Sequence, residues 1–308
     1  MTKLKSKAIV AFSGGLDSRL VVKILKLQLK SENITIAYFL LPFGSKYPDP
    51  NKAKEFAKQE GVKFKLFDCT KDELLQEYLE IIKKPRYGHG CALNPCIDCK
   101  IFILTKIREY AEKNNIPIIT TGEVLHQRPM SQHKNSLKAI ENKSGLKGEL
   151  LRPLSAKLLL ETKAEKEKLI DREKLYDIQG RHRKPQIDLA KKFKIDYPLP
   201  AGGCLLCEKG FCEKLKPVLD RKHISELDIK LLFIRRHFDN GKIILGRNEK
   251  ENNLLQTIQK NYNQGILIIP QEPGPTAFIQ NKKYLEEAKE YIRKYSKQQT
   301  KGFEIKEI

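Results

Sequence analysis

Long apolar runs are missing from this 308-residue chain: none approaches the ~18–20 consecutive apolar residues of a membrane span. No membrane association is therefore expected. The opening MTKLKSKAIVAFSGG is basic but runs straight into strand-forming residues with no small-residue cleavage site, so a cytoplasmic protein is expected rather than a secreted one. Internal repeats are absent, and none of the six histidines stands in an HxxE or HExxH spacing. Acidic residues are outnumbered, 38 against 59 basic, leaving a formal net charge of +21. Seven cysteines (69, 91, 96, 99, 204, 207 and 212) without a signal peptide do not make a disulfide scaffold; buried thiols, metal ligands or reactive sulfur are expected instead.

Hydrophobic residues at 40% are enough for real cores, and the length suits two domains. The basic excess has no single home. Residues 138–194 carry it most densely, with 16 basic and 9 acidic side chains, and residues 209–308 hold 20 against 13. Such a field suits a polyanion held across a folded surface; a lysine-rich solvated surface is the plainer explanation.

Read in order, KAIVAF (7–12) predicts a strand, SGGLDS (13–18) a loop, and the spacing of Leu20, Val21, Ile24 and Leu25 a helix to about Lys30. The unalternating run ITIAYFLL (34–41) predicts a strand covered on both faces. A helix over 49–60 should stop at Gly61, with a strand over 62–67, a helix over 71–83, a longer one over about 100–114 and a strand at 116–122. Alternation of this kind predicts a doubly wound parallel α/β sheet over residues 1–207. Residues 123–165 read as loops, followed by helices near 163–175 and 185–194. From 208 to 308 the pattern changes to a smaller α+β domain, with helices at 211–219, 225–233, 249–261 and 283–296 and strands at 242–248 and 265–270.

The sharpest motif is Ser13-Gly14-Gly15-Leu16-Asp17-Ser18. Two glycines allow close backbone approach to phosphate oxygens, and the following helix start offers free N–H groups and a positive dipole end. Ser13 and Ser18 add hydroxyl donors, and Asp17 is placed to hold Mg²⁺. The string is neither GxxxxGK[ST] nor GxGxxG, and a simple strand-to-helix turn is its bland reading. It resembles the loop of the PP-loop ATP pyrophosphatases (an adenine nucleotide alpha hydrolase-like fold), which cleave ATP to AMP and pyrophosphate while adenylating a carbonyl oxygen. That resemblance implies ATP and Mg²⁺.

The second motif is sulfur. Asn94-Pro95-Cys96-Ile97-Asp98-Cys99-Lys100 precedes a helix, whose N-terminal dipole should favour a Cys99 thiolate. Gly202-Gly203-Cys204-Leu205-Leu206-Cys207 supplies a second CxxC, and the two could close a four-thiolate zinc site. Zinc, inert buried thiols and catalytic sulfur all remain open on spacing alone. NPCIDC resembles the first catalytic cysteine segment of tRNA 2-thiouridylases, while TGEVLHQRPMSQ (121–132) and LLRPLSAK (150–157) resemble tRNA 4-thiouridine synthases, whose pattern is TGExxGQxxSQ. The resemblance implies Cys99 and Cys204 as catalytic cysteines and Gly122 at the nucleotide, with sulfur carried either as a persulfide on Cys204 or Cys99 that the other resolves as a disulfide, or on a three-thiolate [4Fe–4S] cluster that Cys96 completes with Cys99 and Cys204; Cys69, Cys91 and Cys212 are bystanders, although Cys91 could also be a ligand. It further implies tRNA as substrate, thiolated on an adenylated uridine carbonyl, with sulfur from a cysteine desulfurase or inorganic sulfide. The alternatives are a lysidine-type amide-forming enzyme, which would leave the cysteines idle, and an RNA-binding protein stapled by zinc.

Unlike the 4-thiouridine synthases, this sequence shows no RNA-binding domain ahead of the loop, so RNA contact is expected elsewhere. RRHFDNGKIILGRNEKENN (235–253) resembles NFACT-R-type domains, which implies phosphate contacts from Arg235, Arg236, Lys242, Arg247 and Lys250. Arg181 and Arg183 in GRHRK are expected at phosphates or beside the sulfur site, and His182 and His237 at the surface or on RNA. A solvated hairpin and helix is the bland reading of 235–253.

Overall fold

Five apolar residues with no polar interruption, Ala8–Phe12, form β1, and their burial shows why: β1 lies inside a sheet with neighbours on both sides. The computed structural model describes residues 6–44, 49–198 and 203–307. It divides into two compact units, Met1–Cys207 and Glu208–Ile308.

In the first unit β1 leads into α1 (Leu16–Lys26), then β2 (Ile34–Leu40), α2 (Pro50–Glu60), β3 (Lys63–Asp68), α3 (Asp72–Lys83), α4 (Cys96–Lys113), β4 (Ile118–Thr121), α5 (Lys134–Ser144), β5 (Leu150–Leu151), α6 (Lys163–Lys166) and α7 (Lys184–Lys192). The strands run in the order β3-β2-β1-β4-β5, all parallel, with Ala8 opposite Ile34 on one side and Ile118 on the other. The period of two along β1 divides its side chains between two cores. Ala8, Val10 and Phe12 pack with α1, α2 and α7, whereas Ile9 packs with Leu104 and Ile107 of α4 and Ile140 of α5. Helices cover both faces: the sheet is doubly wound, as the sequence predicts.

Local chemistry sets several boundaries. The Asp49 carboxylate accepts from Asn51 and Lys52 at the start of α2, Pro50 occupies the first turn, and Gly61 ends the helix at φ +67°. α4 begins at Cys96, about four residues before the predicted start, so Cys96 and Cys99 are helical. α5 lies in a stretch predicted as loop; its buried stripe is thin, Leu137 and Ile140 among lysines and asparagines. The predicted helix over 163–175 is instead α6 and a 3₁₀ turn at Arg172–Lys174, separated by Lys168 at φ +56°.

The second unit holds α8 (Lys209–Leu219), α9 (Glu226–Leu231), β6 (Arg236–Phe238), β7 (Ile243–Leu245), α10 (Glu249–Tyr262), β8 (Ile266–Pro270), β9 (Ala277–Ile279), α11 (Leu285–Tyr295) and β10 (Phe303–Glu307). Its antiparallel sheet, β10-β8-β9-β7-β6, buries one face against α9 and α10 and the other against α11. Among the described residues no helix is long and apolar enough to cross a membrane.

Candidate functional site

In the order 3-2-1-4-5 the winding reverses between β1 and β4, and a parallel sheet opens a crevice for ligands at the carboxyl ends of the strands flanking such a reversal. β1 ends there in Ser13-Gly14-Gly15, and β4 ends in Gly122. Gly14 adopts φ +79°, a conformation open to glycine. Gly15 caps α1 without a side-chain hydrogen bond, so the N–H groups of the first turn are left for an anion. Gly122 is glycine for a different reason: a β-carbon there would lie 2.8 Å from the backbone carbon of Asp17 and the backbone nitrogen of Ser18. The loop is braced by Arg19, whose Nε donates to the Gly14 carbonyl at 2.8 Å and Nη1 to that of Asp196 at 2.9 Å, and by the Ser18 hydroxyl donating to the Gly15 carbonyl at 2.9 Å. The Ser13 hydroxyl lies 3.4 Å from that of Ser18.

Asp17 is the most telling residue. Its Oδ2 accepts from Gln127 Nε2 at 2.9 Å, while its Oδ1 is buried without a partner. Burial pushes its carboxyl above the ordinary range, against the pull of Gln127, Arg183 and Arg128. Gln186 Nε2 in turn holds Gln127 Oε1 at 2.8 Å, and both Gln186 Oε1 and Arg183 Nε are buried and unpaired. Orphaned buried atoms of both kinds, a carboxylate oxygen and a guanidinium N–H, beside a free helix start fit a cation-bound phosphate. Arg183 thus belongs to the loop site; Arg181 and His182 are exposed.

The thiols gather along the same carboxyl edge. The segment before α4 is organised by Asn94, whose Oδ1 accepts from the Ala92 N–H at 3.2 Å and whose Nδ2 donates to Cys96 Sγ at 3.3 Å. It is tied to the second cysteine segment by Leu93 N–H to the Leu206 carbonyl at 2.9 Å, with Cys91 Sγ 3.8 Å from the Cys207 carbonyl. That second segment hangs on the loop after β2, where the Phe43 carbonyl accepts from Leu205 N–H at 3.0 Å and from Cys204 Sγ at 3.1 Å. Cys99 Sγ lies 4.0 Å from the hydroxyl of the buried Tyr78, whose acidity is suppressed by burial and then by the neighbouring Cys99 and Cys204. The structure therefore ties the segment carrying Cys91, Cys96 and Cys99 to the segment carrying Cys204 and Cys207, with Cys99 beside Tyr78 and Cys91 beside the Cys207 carbonyl. Among the described residues no three His, Cys, Asp or Glu side chains stand close enough to hold a metal ion as they are placed. Cys69 and Cys212 are buried, and Gly202, expected beside Cys204, lies outside the described residues.

The expected Cys99 thiolate is a correction. Cys99 sits within the first turn of α4, its N–H already given to the Pro95 carbonyl at 2.8 Å, and burial pushes its thiol up to about 12. Burial likewise pushes Cys207 up to about 12.

A buried charge chain joins the two regions. Lys100, next to Cys99, pairs with Glu123, next to Gly122; Glu123 also accepts from Arg152 Nε at 3.0 Å, and Arg152 pairs with Glu141. The Arg152 side chain is only 1% exposed. Burial would raise the Glu123 carboxyl, but Lys100 and Arg152 draw it below its ordinary value. Ser155 completes the support, accepting from Leu125 N–H at 2.9 Å and donating to the Ile178 carbonyl at 2.6 Å. TGEVLHQ and LLRPLSAK thus meet in space. Glu123 and Gln127 stand at fixed positions of the TGExxGQ resemblance, whereas Lys100, Gln186 and Tyr78 are partners that sequence reading does not single out.

In the second unit Arg235 Nε lies 3.7 Å from Glu251, Lys242 pairs with Asp239 at 3.2 Å, and Arg236 stacks 4.5 Å above the Tyr295 ring. Arg247 and Lys250 are exposed. His237, expected at the surface or on RNA, is instead turned inward: its Nε2 lies 3.1 and 3.0 Å from the Leu231 and Ile234 carbonyls, and burial and Lys214 lower it to about 4.

No protein-family model matches the chain, and no curated protein does. Among solved structures it is similar to the U34-tRNA thiolase NcsA from Methanococcus maripaludis with its [4Fe–4S] cluster, at 15% identity and a TM-score of 0.37, over 67% of this chain and 64% of that one. The chain thus spans less than two thirds of that protein's length, and the chemistry of the site rests on its own geometry.

Proposed function

We propose that the protein is an ATP-dependent sulfurtransferase that thiolates a uridine of tRNA. The observation that carries this reading is the unpaired Asp17 Oδ1 at the β1/β4 reversal, linked through Gly122, Glu123 and Lys100 to the thiol-bearing start of α4. Phosphate oxygens would lie on the N–H groups opening α1, with Ser13, Ser18 and Arg183 around them and Mg²⁺ on Asp17. There the uridine carbonyl oxygen attacks the α-phosphorus of ATP and pyrophosphate leaves, its charge met by N–H groups already in place. Hydrosulfide then attacks the activated carbon, giving its proton to solvent as the C–O bond to AMP breaks; if the sulfur is instead carried as a persulfide on one of Cys99 and Cys204, the thiol of the other breaks the S–S bond and the resulting disulfide is reduced by an external thiol.

Cys204 and Cys99 are the sulfur-handling pair, carried on two segments that the Leu93–Leu206 backbone hydrogen bond ties together. The donor chemistry, all sulfur on two hydrogen-bonded segments, suits a [4Fe–4S] cluster on Cys96, Cys99 and Cys204, which would carry the transferred sulfur, and equally zinc, and either requires the thiols to draw together from where they are placed. A cysteine desulfurase or inorganic sulfide is the donor class, and the cytoplasm the compartment. The second unit, with its NFACT-R-like segment, would add phosphate contacts through Arg236, Arg247 and Lys250.

The test is conversion of ATP to AMP in the presence of tRNA, with the product nucleosides analysed for sulfur. Cys99→Ser and Cys204→Ser should keep tRNA-dependent adenylation and lose the thionucleoside. Full activity in both, with no sulfur in the product, would instead support amide-forming chemistry. Iron near four per chain after oxygen-free purification supports the cluster, and about one zinc supports the staple.

A further inference from the structure

The loop between β4 and α5 carries two histidines that thiolation does not use. His126 and His133 bring their Nδ1 atoms to 3.2 Å, with ring centroids 5.3 Å apart and planes at 60°. The loop that presents them is internally fastened. His126 N–H donates to the Gln132 carbonyl at 2.7 Å, Gln132 N–H to that of Arg128 at 3.1 Å, and the Ser136 hydroxyl to that of Met130 at 2.9 Å. His133 caps α5. His126 holds φ +62°, where a β-carbon is disfavoured, at the place where TGExxGQ has glycine. A strained backbone thus carries an imidazole aimed at a second imidazole.

We propose that His126 and His133 form a two-histidine chelate for a divalent transition-metal ion such as zinc, bound through both Nδ1 atoms. Zinc–imidazole bonds of ~2.0–2.1 Å at a tetrahedral angle place two nitrogens ~3.3–3.4 Å apart, so the observed spacing needs almost no adjustment. Among the described residues no third His, Cys, Asp or Glu completes the set. His133 is exposed, so the remaining positions fall to water or to a phosphate oxygen. These nitrogen donors are separate from the thiols. Residue 127, next in the chain, donates to Asp17, so an ion here would fasten the loop that positions that carboxylate.

The full-length reduced protein, carrying ¹⁵N-histidine, is titrated with zinc beyond what its cysteines take up, and ring nitrogens are followed by long-range ¹H–¹⁵N correlation. Two rings should shift at Nδ1 together, and those signals should be the ones lost in His126→Gly and His133→Ala. His133→Ala, at an exposed position with an unchanged melting curve, should bind about one zinc fewer, or bind it more weakly by at least the ~10–100-fold that loss of a supporting group costs. An unchanged zinc count and affinity in His133→Ala overturns the proposal. So do two Nδ1 resonances that stay, at zinc saturation, where a mutual hydrogen bond puts them.

Discussion

Glu123→Gln tests whether the buried charge chain holds the site together. The Glu123 side chain is 6% exposed and neutralises Lys100 and Arg152, of which Arg152 retains only Glu141 once Glu123 is gone. Removing one member of a buried ionic set costs about 3–5 kcal/mol, because the remaining charge stays desolvated. For a unit of this size that corresponds to a melting point lower by roughly 6–20 °C. The acid limb sharpens the test. The native carboxyl is held below its ordinary value, so its stabilisation is full above the unfolded value of about 4.3 and fades as pH falls through the lower native value. Urea unfolding of wild type and variant at successive pH values should therefore show a gap that is constant near neutrality and closes in acid. A variant within ~1 kcal/mol of wild type, or a gap that does not depend on pH, would refute the reasoning.

Three further outcomes follow, two from the loop and one from the basic surface. Gly122→Ala forces a β-carbon against backbone atoms of Asp17 and Ser18, which cannot swing aside, so a loss of about 1–3 kcal/mol in thermal unfolding and a collapse of AMP formation are expected. Asp17→Asn should abolish AMP formation while filter-binding affinity for tRNA survives; retained turnover would remove the metal-binding role. Affinity for tRNA should fall by about 10³–10⁵ between 50 and 200 mM salt if six to ten phosphates are contacted, and a flat response would remove the polyanion reading.

Much of the first unit is legible because its signals are local. An uninterrupted apolar pentapeptide, a Gly-Gly loop and a 3.6-residue apolar period occur in immediate succession at β1 and α1, and Gly61 marks its own helix end. α5 is hard to see because two buried apolar side chains carry all of its packing. The site's second layer is illegible for a different reason. Gln127 meets Asp17 across 110 residues, Gln186 meets Gln127 across 59, and Lys100 meets Glu123 across 23. Glutamine and lysine carry no positional signature for such contacts, which arise only when the sheet order places the strand ends together. His237 fails for the converse reason. RRHF looks solvent-facing, yet its histidine ring meets the carbonyls of Leu231, at the end of α9, and of Ile234 just beyond it.

Cys99 shows how a correct local rule is overruled. The dipole at a helix start stabilises a charge by about 0.3–1 kcal/mol, up to ~2 when partly buried. Burial raises this thiol from an ordinary 9.0 to about 12, which at ~1.4 kcal/mol per unit is roughly 4 kcal/mol in the opposite direction. The Tyr78 hydroxyl and Lys100 draw the thiol down by less than burial pushes it up, and Lys100 is also engaged by Glu123. The dipole is a property of the α4 sequence, but the burial is tertiary: the thiol lies 4.0 Å from the hydroxyl of Tyr78, on α3.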